Sequence, residues 1–173
     1  MDTAERREKL LSFLRNAKKP LTGTQLAREF SVSRQIIVGD ISVIRATGTT
    51  IYATPRGYVL PEDVTDDTGL VATIACHHDK LNMRRELEII VDNGGFVRDV
   101  IVEHPLYGEI RADLMLGTRH DVDVFAKRMD ECEARPLSMV TSGIHLHTIE
   151  VKDDESLSRI CSQMRECGIL SEV

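Results

Sequence analysis

Two histidines stand two apart in Gly143-Ile144-His145-Leu146-His147-Thr148-Ile149-Glu150-Val151, a run rich in β-branched residues. In a strand, residues i and i+2 share a face. His145 and His147 then aim at one point, while Ile144 and Leu146 face the other way. Two imidazoles side by side are a poor arrangement once both are protonated. They make sense as neutral donors to a shared electrophile, for which a divalent metal is the usual candidate. The plainer alternative is hydrogen bonding within a sheet.

A metal needs more donors, and these must come from a neighbouring strand end or helix start. His78 directly follows the apolar run Leu70-Val71-Ala72-Thr73-Ile74-Ala75-Cys76, which reads as a buried strand. Glu86 lies eight residues further on, in a segment with helical spacing. His78, Glu86, His145 and His147 make a His3Glu set suited to zinc, nickel, iron or manganese with an open coordination position. His77 rivals His78, Glu88 is a weaker rival to Glu86, and Cys76 is an outside candidate.

The elements that must position these residues follow from the pattern. Lys80 to Asp92 reads as a helix stopped by Asn93-Gly94-Gly95. Phe96 to Glu103 and Glu109 to Leu116 read as strands around the turn His104-Pro105-Leu106-Tyr107-Gly108. His120 to Ala134 and Glu155 to Cys167 read as amphipathic helices on either side of the 143–151 strand. The order β-α-β-β-α-β-α predicts an antiparallel sheet with helices on one face, leaving the other for a ligand or a second copy.

The first sixty residues have a different character. They carry ten Lys/Arg against five Asp/Glu, a net of +5, whereas residues 61–173 carry twelve against twenty-three, a net of −11. A basic segment followed by an acidic one predicts two domains with different partners, nucleic acid for the first. Residues 3–16 read as a helix, then Gly23 to Phe30 with Thr22 and Gln25 as a reciprocal capping pair. A third helix, Arg34 to Thr47, is capped by Ser33 and carries Ile37, Ile41 and Ile44 on its inner face. Two helices joined by a tight turn match the helix-turn-helix pattern. Thr49 to Ala53 and Tyr58 to Leu60, joined by Thr54-Pro55-Arg56-Gly57, add a hairpin wing. Arg34 and Gln35 are placed to read guanine and adenine, Ser33 to reach phosphate, and Arg56 to enter the minor groove or meet a phosphate.

The expected fold is thus α+β: a winged helix-turn-helix over residues 1–60, a linker at 61–69 and an α/β sandwich-type domain over 70–173. The absence of a long apolar run or signal-peptide core predicts a cytoplasmic protein with no membrane partner. The four cysteines lack CxxC spacing and read as free thiols.

Residues 5–60 resemble the N-terminal module of biotin-repressor-like regulators, through Leu21-Thr22-Gly23-Thr24-Gln25-Leu26-Ala27 and Val32-Ser33-Arg34-Gln35. The remainder resembles the three-histidine (3H) domain of niacin-responsive transcriptional repressors. The likeness runs through Ile74-Ala75-Cys76-His77-His78, Glu86-Leu87, Val91-Asp92, Val102-Glu103-His104-Pro105-Leu106-Tyr107-Gly108 and the run around His145. It implies metal ligation by His78, Glu86, His145 and His147, with one nickel or zinc ion per chain. It further implies a homodimeric, non-enzymatic repressor of NAD-precursor genes that binds double-stranded operator DNA with nicotinic acid or nicotinamide as corepressor. His104, Tyr107, Arg111 and Arg119 are candidate contacts for that effector. Three alternatives stand beside this reading: a repressor for which the metal is itself the signal, a metal-dependent hydrolase, and a purely structural metal that clamps a dimer.

Overall fold

The computed structural model describes residues 2–61 and 69–171. The chain divides into two compact units, Met1–Asp66 and Asp67–Val173. The expected linker, 61–69, falls mostly on residues outside those described.

The first unit holds α1 (Thr3–Arg15), α2 (Gly23–Glu29), α3 (Arg34–Ala46), β1 (Tyr52–Thr54) and β2 (Gly57–Val59). Each helix starts where a polar side chain satisfies a free N–H. Asp2 accepts from the Glu5 amide, and Ser33 from the Ile36 amide. Thr22 and Gln25 cap each other at the start of α2. The three helices meet through Leu10, Leu14, Leu26, Ile37, Ile41 and Ile44, all buried. Each such side chain contributes roughly 1.5–3 kcal/mol by leaving water. Asp40 is buried among them, bound by Arg6 and Arg7 of α1. The hairpin β1–β2 is antiparallel, and Tyr58 also pairs with Leu21 ahead of α2, tying the wing to the helices.

The second unit holds β3 (Leu70–His77), α4 (Met83–Asp92), β4 (Phe96–His104), β5 (Gly108–Leu116), α5 (Arg119–Glu131), β6 (Ile144–Val151) and α6 (Asp154–Glu166). The element order is the expected one. The strands form one antiparallel sheet in the order β3-β6-β4-β5. Leu87 and Ile90 of α4, Val122 of α5 and Ile160 and Met164 of α6 share a core with Ile74, Val97, Leu116, Ile149 and Val151 of the sheet. The helices therefore cover one face.

The boundaries differ in ways that bear on the site. Asp79 caps a 3-10 turn, Lys80–Asn82, before α4 begins at Met83, so Glu86 falls in the first turn of that helix. A second 3-10 turn, Leu137–Thr141, precedes β6. The chain after α6 adds itself to the edge of β3: the His77 amide donates to the Ile169 carbonyl and the Ser171 amide to that of Ala75. No periodicity marks so short a pairing.

Candidate metal centre

Alternation on β6 decides where the imidazoles go. His145 and His147 share a face with Ile149 and Val151, which belong to the core. The pair therefore points under the helices, and the uncovered face carries Ile144 and Val71 instead, each about half exposed. Register across the sheet sets His147 opposite Ile74 and His145 opposite Cys76.

His78 leaves the end of β3 and turns its ring back into the same cavity, and Glu86 reaches in from α4. All four side chains are buried, Glu86 at 1% exposure. Glu86 Oε2 lies 2.7 Å from His78 Nε2 and 3.4 Å from His147 Nε2, and Oε1 lies 3.0 Å from His145 Nε2. Four donors around an ion with bonds of ~2.0–2.1 Å would stand about 3.3 Å apart in a tetrahedron. The three separations from Glu86 to the rings lie on either side of that value.

The far sides of the rings are more informative. His78 Nδ1–H donates to the Asp79 carbonyl at 2.6 Å, His145 Nδ1–H to the Gly143 carbonyl at 2.9 Å, and His147 Nδ1–H to the Asp99 carbonyl at 2.6 Å. A carbonyl only accepts, so each Nδ1 must carry the hydrogen. In the neutral rings Nε2 is then a bare lone pair, and three such lone pairs converge on a buried carboxylate. That arrangement is repulsive unless something positive lies at its centre. Backbone carbonyls behind the rings are also the usual second layer that orients metal-bound histidines. The donor set thus fits a divalent transition metal.

Without metal, protons must supply the positive charge. Burial opposes charge on His78 and His147, but Glu86 outweighs it and holds both above the ordinary imidazole range. Burial alone would raise Glu86; the charge on His147 and the hydrogen bonds from the three rings hold it well below the usual carboxylate range instead.

Cys76 belongs to the cluster as well: its Sγ, a Glu86 oxygen and a ring nitrogen of His145 all lie within 4.8 Å of one another. Burial pushes its thiol far up, and Glu86 adds to that, which keeps it protonated beside the carboxylate. The rivals are placed elsewhere. His77 is exposed and, by alternation, points to the uncovered face. Glu88 pairs with Arg84 and Arg119.

A cleft of about 560 Å³ adjoins the cluster, lined by His77, His78, Asp79, Met139, Ser142 and Gly143. The four side chains expected to hold an effector are placed away from that lining. His104 Nδ1 accepts from the Leu106 and Tyr107 amides and its ring rests on Tyr107, which closes the β4–β5 turn. Arg111 binds Asp99 at 2.5 Å and Glu109 at 3.2 Å. Arg119 binds Asp92 and Glu88, joining α5 to α4.

In the first unit, Ser33 is occupied as the cap of α3, and Gln35 is exposed beside it. Arg34 folds back over α2, where its Nε and Cγ stand 3.3 and 3.4 Å from the position a Cβ on Gly23 would take. Arg56 is half-buried in the wing turn, its amide donating to Thr54 Oγ1.

Asp99 is the part of the site that the sequence pattern did not single out. The β4 register shifts between Val97 and Asp99, and this bulge turns the Asp99 carbonyl to His147 while its carboxylate accepts from the Thr148 amide at 3.0 Å. The available signal was an aspartate in mid-strand, where that residue is rare.

A helix-turn-helix unit joined to an α+β unit with a buried His3Glu cluster defines the class: a DNA-binding transcription regulator with a second, separate domain. Comparison with known families and proteins makes this specific. An HTH domain model matches residues 6–59, and the 3H domain model matches residues 71–173. The chain is 41% identical over 168 residues to the transcription repressor NadR of Bacillus subtilis, covering 96% of this chain and 93% of that protein. It is 42% identical over 168 residues to the probable transcription repressor NiaR of Thermotoga maritima, covering 97% and 94%. The protein belongs to the 3H-domain family, in the form that carries an N-terminal helix-turn-helix. No helix among the described residues is long and apolar enough to cross a membrane.

Proposed function

We propose that this protein is a homodimeric transcriptional repressor that binds operator DNA through its winged helix and senses niacin, as nicotinic acid or nicotinamide, at a metal held by His78, Glu86, His145 and His147. The observation that carries the proposal is the convergence of three Nε2 atoms on Glu86 while every Nδ1–H is spent on a backbone carbonyl. Such a site suits zinc or nickel. A metal held there would supply an electrophile, to which a pyridine nitrogen or carboxylate is chemically matched. A cleft lined in part by His78 lies beside the cluster and is large enough for a small aromatic acid. The repressor names of the relatives support the direction of control.

The physical role of the protein's own residues is to hold the donors still and dry. Glu86 offsets the charge of a dication, and the carbonyls of Asp79, Gly143 and Asp99 fix the ring tautomers. Effector binding that favours the DNA-competent dimer requires, by linkage, that operator DNA favour the effector equally. The test is operator binding with and without niacin, before and after chelation. Niacin should tighten binding of the metal-loaded protein and have no effect after chelation. Equal affinity with and without niacin in the metal-loaded protein would sink the proposal, and a response to metal alone would point to metal sensing.

A further inference from the structure

The outward face of α3 carries two exposed β-branched residues and a glycine that the protein itself does not require. At about 100° per residue, Gly39 stands almost opposite the buried stripe of Ile37, Ile41 and Ile44. Among the described residues, no heavy atom lies within 4 Å of a Cβ built on it. Neither packing nor a left-handed backbone therefore calls for glycine there, yet a glycine inside a helix weakens it relative to alanine. On the same face Ile36 is 41% exposed and Val43 39%. They are seven residues apart, two turns of helix. Arg34, folded over Gly23, does not overhang this face, and Gln35 borders it.

We infer that this face is cut for close apposition to the DNA major groove, with Ile36 and Val43 set against thymine C5-methyl groups and Gly39 at the point of closest approach. The occupant follows from the unit itself. α3 is the second helix of a helix-turn-helix, the element that enters the major groove, in a segment of net charge +5 over residues 1–60. Within that groove the thymine methyl is the apolar feature a β-branched side chain can cover. Two turns of helix span about three base-pair steps, so each half-site should present two thymines at about that spacing. Gly39 removes the one Cβ that would hold the helix off the base edges between them. The inference rests on the DNA-binding reading and not on the metal or niacin readings.

The experiment uses the full-length protein. Duplexes are recovered from a randomised library, and their affinities are then measured for the wild type, Gly39→Ala, Ile36→Ala and Val43→Ala. Each thymine is also replaced in turn by deoxyuridine, which deletes only the methyl. Gly39→Ala should raise the melting temperature of the free protein yet weaken binding roughly tenfold, as overpacking at a tight contact does. One thymine-to-uracil change should cost the wild type about fourfold, the worth of a buried methyl, and cost Ile36→Ala almost nothing. A second, about three steps away, should show the same coupling to Val43→Ala. Unchanged binding by Gly39→Ala, or equal uracil penalties in wild type and both alanine variants, would overturn the inference. Recovery of no preferred sequence would overturn the DNA-binding reading beneath it.

Discussion

Gly143 and His78 touch through their backbones. The His78 amide donates to the Gly143 carbonyl at 3.4 Å, and a Cβ on Gly143 would stand 2.3 Å from the His78 carbonyl oxygen. The same Gly143 carbonyl also accepts from His145 Nδ1–H. One glycine thus sets the spacing between the end of β3 and the start of β6, and with it two of the four donors. Gly143 has φ +95°, a conformation that other residues resist. Gly143→Ala should cost at least ~2 kcal/mol of stability and abolish tight metal binding. Thermal unfolding combined with a zinc or nickel titration checks it. Retention of wild-type metal affinity would show that the two strands do not need this contact.

The cluster should make the metal-free and metal-loaded proteins respond oppositely to pH. His78 and His147 lie above their ordinary 6.5, since Glu86 outweighs the burial that opposes their charge. Their stabilisation of the metal-free fold is complete below pH 6.5 and is lost as pH rises through the raised values. Glu86 lies well below 4.5, and its contribution is complete above that pH and lost as pH falls through the lowered value. The metal-free cluster should therefore stabilise most between pH 4.5 and 6.5. Metal binding must displace the imidazole protons, so stabilisation by added nickel should grow from about pH 6 to about pH 8. Melting temperatures across that range, with and without nickel, give both trends. A constant gap between the two curves would count against ligation by these histidines.

Much of this arrangement was legible because it depends on periodicity. The alternation of Ile144, His145, Leu146 and His147 placed both imidazoles on one face, and helical spacing placed Glu86 within reach of His78. The element order of the second unit followed from the same patterns. What periodicity could not show was which face the helices would cover, because that depends on packing against Leu87, Ile160 and Met164 from distant segments. It also could not show the β4 bulge at Asp99, whose cause is the pairing with β6 rather than any local signal. Arg111 and Arg119 illustrate a third limit. A cation suited to a carboxylate ligand is equally suited to an internal carboxylate, and in the fold each has found one.

Arg111 should nonetheless matter to the metal, through Asp99. The Asp99 side chain is buried in the sheet, its carboxylate held by Arg111 and the Thr148 amide while its carbonyl holds His147. Arg111→Ala leaves that carboxylate without its guanidinium partner and frees the bulge to shift. Metal affinity should fall roughly tenfold, the usual cost of losing an outer-layer partner, with smaller loss for Arg111→Lys, which keeps the charge but not the fork. Cobalt-substituted protein would show a changed visible spectrum if His147 moves. An unaltered spectrum and affinity in Arg111→Ala would detach this ion pair from the site.

Asp40 should play the corresponding role in the helix-turn-helix unit, where α1 is tied to α3 by charge as well as by leucines. Its carboxylate receives Arg6 Nε at 2.6 Å and Arg7 Nε at 2.9 Å, and the residue is 2% exposed. Burial alone would push its pKa up, but the two guanidiniums outweigh that and hold it below the ordinary 3.8. Its stabilisation is thus complete above pH 3.8 and lost as pH falls through the lowered value. Asp40→Asn keeps the shape and removes the charge, so it should cost about 2 kcal/mol at neutral pH. The deficit should shrink toward zero in strong acid, where the wild type also loses its charge. Denaturant unfolding of both proteins, followed at neutral and acid pH by amide-exchange protection of α3, resolves this unit from the other. Because Asp40 sits on the inner side of α3, the variant should loosen the recognition helix before it changes any base preference, so operator affinity should fall uniformly across sequences. A change in which sequence is preferred would mean that Asp40 shapes the groove-facing surface directly.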